Sequence, residues 1–102
     1  MTPMATTSES LSPMAARLLK RGQKESQSGN ADAAMRSLTS ALALAPDNAE
    51  IMRWMGIAAQ NLGDHAGAAE LYRQILEGLD ETHYERGLFE MRLAEEEQEA
   101  RG

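Results

Sequence analysis

From Pro13 onward, the apolar residues of this 102-residue chain recur at steps of three and four, with polar residues between them. Ala34, Leu38 and Ala41 form one such series, Met52, Met55 and Ala59 a second, and Ala68, Tyr72 and Ile75 a third. Steps of that size keep side chains on one face of an α-helix, so each series predicts an amphipathic helix with a buried stripe. The opening stretch, Met1 to Leu11, is rich in Ser and Thr and has no such period. Residues 1–12 are therefore expected to be a disordered tail ahead of a folded domain over residues 13–99.

The interruptions between the stripes place the helix ends. Ser12-Pro13 supplies an N-cap hydroxyl and then a proline at the first helical position, where the missing N–H has no intrahelical partner to lose. Four breaks follow, at Gly29-Asn30, Pro46-Asp47-Asn48, Gly63-Asp64 and Gly78 to Glu81. At the first and third, glycine can take the left-handed conformation that ends a helix, and Asn30 or Asp64 can then cap the next one. At the last, Thr82 with Glu85 three residues on has the form of a capping box. About five helices are predicted, near residues 13–28, 31–45, 48–61, 65–78 and 82–99. Turns this short make consecutive helices antiparallel, so the fold class is all-α, a series of αα-hairpins.

Composition supports helix and removes several chemistries. The chain leans on Ala, Leu, Met, Glu, Gln and Arg, which lose little rotamer freedom in a helix, and it contains no valine. It also contains no cysteine, which excludes disulfides, thiolate catalysis and Cys-type zinc sites. No segment approaches the ~18 consecutive apolar residues of a membrane span and none has the form of a secretion signal, so a cytoplasmic protein without a membrane partner is expected. The net charge of -6 disfavours nucleic acid, which rewards a basic face. That charge is unevenly spread: residues 1–46 hold five Lys/Arg against three Asp/Glu, and residues 47–102 hold five against thirteen.

The hairpins are copies of one another. At an offset of 34 positions Ala15 meets Ala49, Gly22 meets Gly56, Gly29 meets Gly63, Ala34 meets Ala68 and Leu42 meets Leu76. Leu18 with Met52, Asn30 with Asp64 and Leu38 with Tyr72 are alike in kind. This period and pattern are similar to the tetratricopeptide repeat, written W-x2-L-G-x2-Y, A-x3-F, P. The second copy reads Met52-x2-Met55-Gly56-x2-Ala59, then Ala68-x3-Tyr72-x2-Ile75; the first reads Leu18-x2-Arg21-Gly22-x2-Glu25, then Ala34-x3-Leu38-x2-Ala41, ending on Pro46. The boundaries are then about 15–48 for repeat 1 and 49–81 for repeat 2, with a capping helix at about 82–99. Gly22 with Ala34, and Gly56 with Ala68, are the small residues that let paired helices approach.

Two features depart from the pattern. Arg21 and Glu25 are polar where an internal repeat is apolar, as suits a terminal repeat, and Asp80 stands where proline is expected. In the capping helix, Tyr84, Leu88 and Met91 fall at i, i+4 and i+7 and are expected to cover the second hairpin, which leaves Phe89 and Leu93 on another face. Met35, Met52, Met55 and Met91 are read as core filling.

The resemblance implies a protein- or peptide-binding adaptor that uses the concave side of its first helices. By register the groove is lined by Leu19, Gln23 and Gln27 from repeat 1 and by Glu50, Arg53, Ile57, Gln60 and Asn61 from repeat 2; Phe89 and Leu93 from the cap either add apolar surface to it or form a self-association patch, unless Phe89 is ordinary core. The Lys and Asn clamp that some relatives use for a terminal carboxylate has no counterpart, since the corresponding places hold Leu19, Gln23 and Trp54. A second surface is the basic face of the first helix, where Arg17, Lys20, Arg21 and Lys24 stand at i, i+3, i+4 and i+7. It either solubilises the end of the array or docks an acidic partner, such as the acidic end of a second copy, which makes a homo-oligomer the alternative to an adaptor.

Catalytic, cofactor and metal sites are not expected. His65 and His83 have no second ligand at metal spacing and are read as solvent-exposed, and no phosphate loop or nucleophile elbow is present. Glu95, Glu96, Glu97 and Glu99 point in different directions around a helix and are read as a solvated helix end.

Overall fold

The computed structural model describes residues 11–102; of the tail expected over residues 1–12, residues 1–10 lie outside them, while Leu11 packs against the core and Ser12 caps α1. Five helices follow one another: α1 Pro13–Gln27, α2 Ala31–Leu44, α3 Ala49–Asn61, α4 His65–Gly78 and α5 Arg86–Arg101. Four of the five begin as the capping residues predict. Ser12, Asn30, Asn48 and Asp64 each accept from the backbone N–H three residues on, satisfying one orphan donor of the first turn. Gly29 and Gly63 have φ of 85° and 80°, the left-handed conformation that closes α1 and α3.

Each helix packs on the next, and α1 also packs on α3, giving two layers in a slab 39 × 35 × 18 Å. The close approaches occur where the small residues stand. Above Gly22 lies Leu38, and above Gly56 lies Tyr72, one period apart. Two apolar clusters result. Leu19, Leu38, Ile51, Met55 and Ala58 gather between α1, α2 and α3, while Met52, Tyr72, Ile75, Leu76 and Phe89 gather between α3, α4 and α5. α3 contributes to both, and Met35, Leu42 and Leu71 edge both.

The last helix departs from expectation in where it starts and which face it buries. Thr82 and Glu85 do not form a capping box: α5 begins at Arg86, and Glu85 occupies the N-cap position without a side-chain cap bond. The reason lies in the end of α4. Arg86 Nη1 donates to the carbonyls of Leu76, at 3.1 Å, and Leu79, at 3.2 Å, serving α4's orphan acceptors and fixing where α5 begins. The stripe Tyr84, Leu88 and Met91 is exposed, at 89%, 44% and 61%, so Met91 is not core, unlike Met52 and Met55. Phe89 is buried instead, its ring 6.2 Å from that of Tyr72, and Leu93 packs on the same cluster. From Arg86 at Leu76 and Phe89 at Tyr72 to Glu97 at Arg73 and Glu96 at His65, the contacts run antiparallel down α4.

Candidate functional site

The odd-numbered helices carry the side chains expected to line a groove. α1 and α3 are linked across that face by Gln23 Nε2, which donates to Glu50 Oε1 at 3.3 Å. Along α3, Glu50, Arg53, Ile57 and Gln60 are half-buried and Asn61 is exposed. The Arg53 guanidinium lies 5.2 Å from the centre of the Trp54 ring, a cation–π contact that holds it at the surface.

Two separate pockets lie where α5 faces α3. One, of about 300 Å³, is bounded by Glu50 and Arg53 on α3, by Leu79, by Tyr84 and Glu85 in the turn, and by Leu88 and Phe89 on α5. The other, of about 500 Å³, lies between Gln60, His65 and the acidic end of α5, with Glu95, Glu96 and Glu99 on its wall. The first pocket thus sets Leu79, Tyr84, Leu88 and Phe89 among the charged Glu50, Arg53 and Glu85, and the second is acidic.

Of the expected apolar groove residues, Leu19 is elsewhere, whereas Phe89 packs in the core and also lines the first pocket. Leu19 is 2% exposed and joins Leu38 and Ile51 in the first cluster, because α1 turns it inward between α2 and α3. Phe89 is 4% exposed and belongs to the core beside Tyr72, and it forms part of the wall of the first pocket. Leu93 is half-buried against that core, and Gln27 is exposed at the far end of α1. From the turn and α5, Tyr84 and Leu88 line the first pocket and Ala94 and Glu95 the second, with Met91 exposed on the same helix. The signal for them was in the period: 34 positions beyond Glu50, Ile57, Gln60 and Asn61 stand Tyr84, Met91, Ala94 and Glu95.

The acidic run is not uniformly solvated. Glu96 is 2% exposed, and its Oε2 lies 3.2 Å from Nδ1 of His65, itself only partly exposed, so both expectations of open solvent are corrected. Glu97 Oε2 accepts from Arg73 Nη2 at 3.1 Å, and Arg73 also pairs with Glu70. On α1, Arg17, Lys20, Arg21 and Lys24 are all exposed. Glu25 accepts from Ser37 Oγ at 2.6 Å and pairs with Arg21 at 3.5 Å, so the acid that replaces the pattern's aromatic ties α1 to α2. Among the described residues no three His, Cys, Asp or Glu side chains gather to hold a metal ion, and no helix is long and apolar enough to cross a membrane.

Antiparallel helix pairs, duplicated at a fixed interval, with small residues at the crossings, define a helical-repeat protein. The family model for the tetratricopeptide repeat matches residues 26–86, more than half of the chain, and the chain belongs to that family. No curated protein and no solved structure matches it. Tetratricopeptide repeats are generally protein-interaction modules and non-catalytic scaffolds.

Proposed function

We propose that this protein is an adaptor that holds an extended or helical segment of a partner protein along the α3–α5 trough, continuing onto α1 past Gln23. The observation that supports this reading is the pair of pockets between α3 and α5, which a segment lying from one to the other would join into a single trough. Glu50 and Arg53 with Tyr84 and Leu88 border one pocket and Gln60 the other, the mixture of polar and apolar groups that fixes a peptide's register while burying its side chains. The exposed stripe at Tyr84, Leu88 and Met91 is larger than the fold itself needs, which supports a covering partner.

Arg53→Ala with Ile57→Ala removes one polar and one apolar contact from the middle of α3. The double variant is expected to lose partner capture in a pulldown from native lysate while its far-ultraviolet circular dichroism keeps the helical signal. Undiminished capture would rule out the trough. The second reading is head-to-tail self-association, favoured by the exposed basic face of α1 and the acidic excess of residues 47–102. It requires a mass in sedimentation that rises with concentration and falls with salt; a constant monomer mass eliminates it.

A further inference from the structure

One oxygen in the acidic pocket lacks a partner. Glu96 is 2% exposed on the wall of that pocket; Oε2 is engaged by His65 at 3.2 Å, whereas Oε1 is buried and has no hydrogen-bond donor among the described residues. A buried acceptor without a donor is costly, and more so when it is a carboxylate. No lysine or arginine lines the pocket to relieve it, and Arg73, the basic residue that reaches α5 from α4, is engaged by Glu70 and Glu97. Glu95 and Glu99 stand exposed beside Glu96, so three carboxylates border a space of about 500 Å³ that holds no cationic group.

We infer that this pocket receives a lysine or arginine side chain of the bound segment, whose cationic head donates to Glu96 Oε1 between Glu95 and Glu99. The inference rests on the peptide-holding reading above and adds the partner's chemistry: a basic residue at one end of the segment and apolar residues at the other, over Tyr84 and Leu88. His65 acts as a positioning residue, holding Oε2 and leaving Oε1 as the acceptor. The acidic excess of residues 47–102 draws such a segment in from solution.

The test uses the full chain and three fluorescent peptides of equal length and apolar content, carrying arginine, glutamine or glutamate at one end. Anisotropy is expected to rank arginine first. Glu96→Gln should weaken the arginine peptide about tenfold or more, the loss of one charge-assisted bond. Glu97→Gln removes the same charge outside the pocket and should leave affinity within about twofold, as for an exposed ion pair. The exposed double variant Glu95→Gln/Glu99→Gln provides a second reading should Glu96→Gln fold poorly, and it should also weaken arginine selectively. Equal losses for Glu96→Gln and Glu97→Gln overturn the inference in favour of diffuse attraction. If Arg53→Ala/Ile57→Ala abolishes binding while charge and Glu96 are immaterial, the pocket assignment falls and the trough stands; indifference to every variant removes both. Concentration-dependent self-association that Glu96→Gln abolishes would make a second copy the occupant and overturn it too.

Discussion

Gly22 and Gly56 occupy equivalent places one period apart, and each surrenders its side-chain volume to the residue across the hairpin. A Cβ at Gly56 would come within 2.8 Å of Tyr72 Cζ, and one at Gly22 within 2.5 Å of Leu38 Cγ. Overpacking of this kind costs about 1–3 kcal/mol, so Gly56→Ala should lower the melting temperature by several degrees, at roughly 4–8 °C per kcal/mol. Gly87 gives the opposite sign. It lies inside α5 with nothing within 4 Å of a Cβ, and Gly87→Ala should raise the melting temperature by stiffening the unfolded chain. Tyr72 also sets an alkaline limit. Burial pushes its phenol above the ordinary value near 10; Arg92 and Arg53 pull it down by less, while Glu96 and Glu95 add to the rise. The stability that its neutral form contributes is complete below the unfolded value near 10 and is lost as pH rises through the raised folded value. Tyr72→Phe should keep more of its helical signal than wild type in an alkaline titration read by circular dichroism.

At the scale of the element, α5 separates two jobs that one helix seldom shares. Its buried side, Phe89 with Leu93, closes the second cluster, and its other side leaves Leu88 and Met91 exposed on the face proposed for the partner. Phe89→Ala should destabilise by about 3–5 kcal/mol, whereas Met91→Ala should change stability by less than about 0.5 kcal/mol and weaken partner binding. Equal thermal effects would show that the faces are assigned wrongly. This is also where reading the sequence reached its limit. The hairpin caps, the 34-residue period and the Gly22–Leu38 and Gly56–Tyr72 crossings were legible because each rests on residues close in sequence or related by the repeat. The face of α5 was not, because Tyr84, Leu88 and Met91 share helical spacing as good as that of Phe89 and Leu93. What decides between them is Arg86 on the carbonyls of α4 and the ring of Tyr72, a tertiary choice to which periodicity is blind. The burial of Leu19 is hidden from repeat register for the same kind of reason, because it comes from α1 lying across α3.

On the scale of the whole molecule, a curved stack of hairpins gives each helix contacts chiefly with its neighbours, and α3 is the member that belongs to both apolar clusters. Stability in such an array is a sum over neighbouring interfaces, so its ends are the parts that come loose first. α1 has helices on one side only and α5 likewise, whereas Ile51, Met52, Met55, Ala58 and Ala59 bury both flanks of α3. In deuterated buffer the amides of α3 should therefore exchange slowest, with rates rising outward toward Pro13 and Arg101, and a single uniform rate would mean that the chain opens only all at once. A partner laid along the trough would touch α3 and α5 together. It would slow exchange most at the α5 end, so capture would be recorded as the disappearance of local opening at a site distant from α1.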